Sequence, residues 1–313
     1  MRLGLFLVPR FPRSFNVRLA RGCGRLAYYI DRHGRQVGEA NLDIAFGDSR
    51  STAEKMRILK GAYESFALTL FDVLWFTRDC AARLRAYVRF DDDLWAILSR
   101  KEPQLLVTGH LGNWETGGQA GASFGLPLHS IAAPLRNPGV EALFTPSRQL
   151  SGQHIIHKSG ALRTMLRLLS EQQKIAILLD QNTRPSEGGI FVPFFGLPVP
   201  VSSAPAAVAM RAGANLVFCY CLSQPDGSYR IVLLDAIDIE ACPGKADQKA
   251  KDALTVTILQ KAEEAASRYP EYWLWMYKRW KYVAPNHSRE EYPWYAKHVP
   301  SSPHVKKPAP SKD

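Results

Sequence analysis

Residues 105–116 decide the fold of this chain; they read Leu-Leu-Val-Thr-Gly-His-Leu-Gly-Asn-Trp-Glu-Thr. A short apolar run bounded by turn residues predicts a buried strand, and here 105–107 is apolar and Gly109 follows it. Asn is a favoured N-cap residue, so a helix is expected to begin near Asn113. His110 therefore lies where a strand ends and a helix begins, at the edge where open α/β sheets bind ligands.

Outward from this stretch, strand-like runs alternate with amphipathic helices. The expected strands are 87–90, 130–133, 155–156, 175–180, 216–222 and 229–234, and the expected helices are 91–99, 138–150, 161–170, 203–212 and 249–269. Such alternation predicts an α/β fold with a largely parallel central sheet covered by helices. We expect three parts: a basic N-terminal segment (1–35), one domain (36–284), and a flexible C-terminal tail (285–313) that is rich in Pro, Ser and Lys.

His110 and Glu115 form the candidate catalytic pair. Five residues apart on one regular helix they would point in different directions, but a loop containing Gly112 lets the Glu115 carboxylate reach the imidazole. A carboxylate that orients an imidazole makes a general base, and the helix start offers backbone N–H groups to an oxyanion. The alternative is a buried histidine that is hydrogen-bonded to a nearby carboxylate and has no catalytic role.

The composition limits the choice of function. The chain has 313 residues, 46% of them hydrophobic, a net charge of +11 and five cysteines without metal-ligand spacing. The basic charge favours an anionic partner such as a membrane surface, an acidic carrier or nucleic acid. The cysteines form no disulfide framework, and no run of about 18 apolar residues predicts a transmembrane helix.

The N-terminal segment has a pattern of its own. Residues 1–35 contain eight Arg and one acid, Asp31, interleaved with aromatic and aliphatic residues. This mixture is typical of a segment that lies at a membrane interface, while a solvated basic helix packed on the body is the alternative. No nucleic-acid-binding motif accompanies the charge, so nucleic acid is not expected as a partner.

Four further stretches are candidates for substrate contacts. Arg136 follows the next predicted strand, and Arg148 lies in the helix expected after it; the planar guanidinium suits phosphate or carboxylate. Asp180, Gln181 and Arg184 follow a buried strand and should reach the same crevice. Residues 188–200 predict an apolar loop that contacts a hydrocarbon chain or the bilayer, with a packed core loop as the alternative. Residues 272–281 mix aromatics and cations as an interfacial belt does.

These stretches together resemble the lipid A biosynthesis acyltransferases, the lauroyl/myristoyl branch of the lysophospholipid acyltransferase superfamily. The matching blocks are 41–46, 109–115, 136–138, 180–181, 191–196, 206–213 and 275–281. The combination of Gly-His-Leu-Gly-Asn-Trp-Glu with a downstream Phe-Val-Pro-Phe-Phe-Gly separates this branch from the glycerolipid branch, whose motif ends in Asp. The chain departs from the family in its weak, Arg-broken first apolar segment, which favours peripheral attachment.

The resemblance implies a glycerolipid-acyltransferase-like fold and acyl transfer from an acyl carrier protein or coenzyme A thioester to a lipid hydroxyl. It implies no cofactor, an anionic membrane surface as a partner, and a place at the cytoplasmic face of the inner membrane. His110 becomes the base and Glu115 its partner. The expected substrate-binding residues are Asn113, Arg136, Arg148, Asp180, Gln181, Arg184, Phe191, Phe194, Phe195 and Gly196.

Three alternatives stay open at this point. The same branch acylates other glycolipids, such as mannosylated phosphatidylinositol, and lipid-like metabolites. A non-catalytic lipid-binding protein could use the same scaffold. A hydrolase is less well supported, because the sequence contains no Gly-x-Ser-x-Gly nucleophile elbow.

Overall fold

The computed structural model describes residues 2–132, 139, 148, 150–157, 160–240 and 247–299. The described helices are α1 (Arg2–Leu7), α2 (Arg13–Ile30), α3 (Arg32–Phe46), α4 (Thr52–Trp75), α5 (Cys80–Tyr87), α6 (Asp92–Leu98), α7 (Trp114–Ser123), α8 (Ala161–Ser170), α9 (Ala204–Ala212) and α10 (Gln248–Arg268). The described strands are β1 (Val88–Phe90), β2 (Gln104–Thr108), β3 (Leu128–Ala132), β4 (His154–His157), β5 (Lys174–Leu178), β6 (Gly189–Phe194), β7 (Leu197–Ser202), β8 (Asn215–Ser223), β9 (Tyr229–Ile237), β10 (Tyr282–Val283) and β11 (Lys297–His298).

Seven of these strands form the central sheet, in the order β1-β9-β8-β2-β5-β3-β4. All neighbours in it are parallel except β8 and β9, which form an antiparallel hairpin around Gly227. Helices cover both faces. The predicted α/β fold with a largely parallel sheet is thus confirmed.

Strand β2 lies inside the sheet, between β5 and β8. Because successive side chains of a strand point to opposite faces, its apolar run serves two cores. Leu106 packs in a cluster with Ala120 of α7 and Leu68 of α4. Leu105 and Val107 pack with Met165 and Val208, which belong to α8 and α9 on the other face. A strand buried on both sides has to be apolar throughout, as β2 is.

Helix α2 is strongly two-sided. Its buried positions recur at helical spacing, among them Val17, Ala20, Gly24 and Tyr28. Gly24 allows close packing on α4, since a Cβ there would lie 2.7 Å from the carbonyl oxygen of Tyr63. The opposite face, together with α1, exposes the apolar side chains of Phe6, Leu7, Phe15, Leu26, Tyr29 and Ile30. Within the described part of the chain, no helix combines the length and the apolar character needed to cross a bilayer.

Two expectations about apolar stretches need correction. Residues 188–200 are an antiparallel hairpin of β6 and β7, not a loop, and Phe194 is buried against Trp273 and Trp280. In 272–281, Trp273, Trp275, Trp280 and even Arg279 are buried. Sequence composition shows aromatic and cationic content but not its direction, and here the tertiary fold turns both stretches inward.

The predicted C-terminal tail is described only as far as residue 299. In this part β11 pairs with β10, and Tyr292 and Tyr295 are buried against the body. The Tyr295 hydroxyl donates a hydrogen bond to the side-chain oxygen of Asn41 in α3.

Candidate active site

The register of two parallel strands creates the site. Thr108 and Leu178, the last residues of β2 and β5, lie side by side. Two residues beyond the end of each strand, the chain reaches His110 after β2 and Asp180 after β5. Parallel strands bring their carboxyl ends to one edge of the sheet, so these two side chains meet there. The expectation that Asp180 reaches the crevice of His110 is confirmed.

The partner of the imidazole is Asp180 and not Glu115, which corrects the geometry expected from the sequence. Nδ1 of His110 lies 2.7 Å from Oδ1 of Asp180, and the backbone N–H of His110 donates to Oδ2 at 2.6 Å. The indole N–H of Trp273 donates to the same Oδ2 at 3.0 Å. Gly109 permits this approach, because a Cβ at that position would lie only 3.0 Å from the Asp180 carboxylate.

The hydrogen bonds assign a tautomer to the imidazole. A carboxylate accepts hydrogen bonds, so Nδ1 carries the proton and Nε2 is left with its lone pair. The side-chain nitrogen of Gln181 lies 3.2 Å from this Nε2 and donates to it. Gln181 is exposed, so this nitrogen of the ring lies next to the protein surface.

The site loop is pinned by backbone contacts on both sides. Gly112 donates its N–H to Tyr272, and Asn113 donates its own to Cys221 of β8. Gly112 has a φ of +68°, and a Cβ there would lie 2.1 Å from the Cys221 carbonyl oxygen, so only glycine fits. Asn113 then begins α7 as its N-cap, accepting a hydrogen bond from the N–H of Thr116 at 3.0 Å. The predicted cap is confirmed, and the buried Asn113 side chain serves the helix.

Glu115 holds a different partner. Its two carboxylate oxygens accept hydrogen bonds from Arg148, at 2.9 Å from Nε and 2.6 Å from the terminal nitrogen. Both side chains are largely buried, with 7% of Glu115 and 12% of Arg148 exposed. A two-pronged pair of this kind fixes the direction of the guanidinium as well as its charge. The sequence places both residues near the site but does not predict that they pair with each other.

An apolar cavity runs from this ion pair along α7. Its empty space, including open solvent at the mouth, is about 790 Å³. Glu115, Arg148, Thr108 and Trp114 line it at the carboxyl edge of the sheet. Three glycines of α7 make room along the length of the cavity; they are Gly117, Gly118 and Gly121. Apolar side chains surround its other end; they are Phe90, Leu98, Leu126 and Leu128.

Trp114 connects the cavity to the imidazole. Its ring meets that of His110 edge-on, with 4.7 Å between the ring centroids. The cavity thus lies one aromatic ring away from His110, because Trp114 both lines the cavity and contacts the imidazole. An apolar pocket with a few convergent polar groups at one end is the usual form of a ligand site.

The charges of the site shift the pKa values of the pair. Burial favours the neutral imidazole, but the Asp180 carboxylate and its hydrogen bond outweigh burial, and Glu115 adds to them, so the pKa of His110 is raised above 6.5. Burial opposes ionisation of Asp180 as well, yet His110 and then Arg279 hold the pKa of that carboxyl below its usual value.

The other predicted contacts are distributed as follows. Arg184 forms a surface ion pair with Glu187, at 2.7 Å, and its expected phosphate contact stays a prediction. Phe191, Phe194, Phe195 and Gly196 lie in or beside the β6–β7 hairpin, apart from the lining of the cavity. Arg136 lies outside the described residues.

Several residues of the site escape sequence reasoning. Trp273 and Tyr229 contact Asp180 and Asn113 from distant parts of the chain. Arg279 is fully buried and donates to the side chain of Asn182, just after Asp180. Their side-chain types carry no local signal, because the contacts depend on how the later strands and loops return to β2.

Comparison with known proteins now identifies the family. Residues 2–282 match the model of the bacterial lipid A biosynthesis acyltransferases. The chain belongs to this family. The expected enzyme class, an acyltransferase, is thereby confirmed.

Curated relatives of this acyltransferase fall into two groups. The lipid A biosynthesis palmitoleoyltransferase of Escherichia coli is 23% identical over 283 residues, covering 88% of each chain, and a lipid A biosynthesis acyltransferase of Shigella flexneri has the same values. A phosphatidylinositol mannoside acyltransferase of Mycolicibacterium smegmatis is 26% identical over 140 residues, so the match spans 44% of this chain and 45% of that protein.

Proposed function

We propose that this acyltransferase moves a fatty acyl chain from an acyl carrier protein or coenzyme A thioester to a hydroxyl group of a lipid A precursor, with His110 as the general base. The observation that carries the proposal is the His110–Asp180 pair, which the ring of Trp114 separates from an apolar cavity. Such a cavity suits a hydrocarbon chain, and the pair suits removal of a proton from an alcohol.

The reaction needs no covalent enzyme intermediate. Nε2 of His110 takes the proton of the lipid hydroxyl while the oxygen attacks the thioester carbonyl. The tetrahedral oxyanion collapses, the C–S bond breaks, and the thiolate leaves and takes the proton from the imidazolium. Asp180 supports the imidazolium and keeps Nδ1 protonated throughout.

Glu115 acts through Arg148 in this proposal. The ion pair lines the polar end of the cavity, beside Trp114, and the thioester carbonyl would lie there if the acyl chain fills the apolar part. A fixed guanidinium and the N–H groups at the start of α7 are suited to stabilise the developing oxyanion. Rigid placement matters, since donors that are already oriented cost no reorganisation during the reaction.

Peripheral attachment at the cytoplasmic face of the inner membrane fits the N-terminal helices. The exposed face of α2 combines Phe15, Leu26 and Tyr29 with the exposed Arg18 and Arg25. Apolar side chains enter the interface and cations attract anionic lipids. Sedimentation with phosphatidylglycerol vesicles tests this, and equal binding to phosphatidylcholine vesicles would contradict the charge argument.

A second acceptor is favoured by one specific observation, the similarity to mannoside acyltransferases. Mannosylated phosphatidylinositol also offers a hydroxyl next to phosphate, so the same site chemistry serves it.

Mass spectrometry of total lipids from cells with and without the protein tests the proposal. We expect a lipid that lacks one acyl chain in the deletion strain, and its headgroup distinguishes lipid A from a mannosylated acceptor. Wild-type protein should restore the missing chain and His110→Ala should not. His129→Ala is the matched control, because that histidine lies on β3 against His154. Restoration by His110→Ala would end the proposal of base catalysis.

A further inference from the structure

A buried network of hydrogen bonds links helix α2 to the start of helix α7. Arg13 of α2 donates two hydrogen bonds to the carboxylate of Asp72 in α4. The hydroxyl of Tyr229 in β9 donates to the same carboxylate. The side-chain N–H₂ of Asn113 donates to that hydroxyl at 2.9 Å. None of these four side chains belongs to the residues that contact the imidazole.

All four side chains of this network are shielded from water. Arg13 is 6% exposed, Asp72 0%, Tyr229 1% and Asn113 2%. Burying a charged pair is costly, and well-packed apolar residues commonly serve stability as well or better. The network also joins the β8–β9 turn, since Nε of Arg13 donates to the carbonyl of Gly227 at 2.7 Å. Because burial of this ion pair is not explained by stability, we ask which part of the structure the network holds in place.

The direction of each hydrogen bond follows from the one before it. Asp72 forms an ion pair with the Arg13 guanidinium. As a carboxylate it acts only as a hydrogen-bond acceptor. The Tyr229 hydroxyl must then donate to Asp72, which leaves its lone pair free to accept from Asn113. Asn113 is thereby oriented with its N–H₂ toward Tyr229 and its oxygen toward the N–H of Thr116. Only this orientation of the amide caps α7.

We propose that Arg13, Asp72 and Tyr229 are positioning residues for acyl transfer, which set the amide orientation of Asn113 and so the place of Trp114 and Glu115 in the lining of the cavity. The inference rests on the proposed function, in which Glu115 fixes Arg148 beside the reacting carbonyl. It ties the docking of the N-terminal helix to the geometry of the catalytic helix.

Tyr229→Phe is the decisive variant, because it keeps the ring and removes both hydrogen bonds of the hydroxyl. Tyr292→Phe is the matched control. Tyr292 is also buried, and its hydroxyl likewise makes two hydrogen bonds, to Pro198 and from Ala284, without touching α7. Both variants should lower Tm to a similar degree, since each loses a comparable set of contacts.

Two measurements separate positioning from general stability. In Tyr229→Phe, hydrogen exchange of the Thr116 N–H, which donates to the side-chain oxygen of Asn113, should accelerate about tenfold or more, and kcat should fall by about 10- to 100-fold, the scale for a misplaced catalytic group. KM and the acid limb of the pH profile should stay unchanged, because Asp180 sets the pKa of His110. Tyr292→Phe should keep kcat and the slow exchange.

The inference fails if Tyr229→Phe retains wild-type kcat and exchange, or if both variants lose kcat in proportion to Tm. A second test uses Arg13→Lys, which keeps the charge and loses the planar fork. Because Arg13 acts through Tyr229, the effects of Arg13→Lys and Tyr229→Phe on kcat should not multiply in the double variant, and multiplication would refute the relay. Exchange of the Thr116 N–H is read without any substrate, so it tests the relay even if the proposed acyl transfer is disproved by an active His110→Ala.

Discussion

The exchange of Asp180 for asparagine tests the centre of the site most directly. Three N–H groups point at this carboxylate: the ring and the backbone of His110, and the indole of Trp273. Two of them share Oδ2. An asparagine has one acceptor oxygen, and it satisfies most donors when that oxygen takes the Oδ2 position. Its N–H₂ group then faces Nδ1 of His110 and forces the ring into the tautomer that is protonated on Nε2.

The size of the effect follows from these contacts. A hydrogen bond to a charged group is worth about 1.5–3 kcal/mol, and about 1.4 kcal/mol is tenfold in an equilibrium. The productive tautomer should therefore become about 10- to 100-fold rarer, and the loss of charge that supports the imidazolium lowers the rate further. We expect kcat to fall by about 10²- to 10³-fold.

The pH profile gives the sign of the charge effect. Asp180 raises the pKa of His110 above 6.5, whereas burial lowers it. Without the charge, burial dominates, the ring stays neutral to lower pH, and the acid limb of kcat/KM should move to lower pH even though the rate is small.

The assay follows labelled acyl transfer from a loaded acyl carrier protein to lipid extracted from the deletion strain. Asp235→Asn, a surface carboxylate paired with Lys261, is the control and should act as wild type. An acid limb that moves to higher pH in Asp180→Asn, or a kcat within a factor of three of wild type, would refute the reasoning.

Three further changes test other parts of the structure. Arg148→Lys keeps the charge but loses the two-pronged contact with Glu115, so kcat should fall about tenfold or more with the fold intact, as measured by steady-state kinetics beside circular dichroism; an unchanged kcat would contradict it. Ala176→Leu places three more carbon atoms in the cavity that it lines. At about 0.8 kcal/mol per methylene, the longest accepted acyl chain should lose roughly 60-fold in kcat/KM while shorter chains are kept; a preference unaltered across acyl-chain lengths would count against acyl binding there. Asn41→Ala leaves two carbonyl groups, of Trp275 and Tyr277, without their donor. Urea denaturation should therefore show a loss of about 2–4 kcal/mol in the free energy of unfolding. A loss below about 1 kcal/mol would show that water replaces the amide.

The sequence was a good guide wherever the signal was local. The apolar run before Gly109 predicts β2, Asn113 predicts the start of α7, and the alternation of elements predicts the parallel sheet. These features depend on side chains within a few positions of one another, and the structure keeps all of them. Even Asp180 could be placed near His110, because both follow the ends of buried parallel strands.

What the local pattern could not decide was which acid meets which base. His110 and Glu115 are five residues apart, yet the loop at Gly112 turns the carboxylate to Arg148, while Asp180 reaches the imidazole from 70 positions away along the chain. Register between β2 and β5 determines that pairing, and register is a property of the assembled sheet. The same holds for Tyr229, which orients Asn113 from β9, and for the aromatic residues of 273–280, whose burial follows from the packing of the chain around them. Local sequence therefore predicts the elements and the kinds of chemical groups at the sheet edge, whereas the partners of those groups follow from the assembled fold, because hydrogen bonds between distant segments exist only after the strands have aligned.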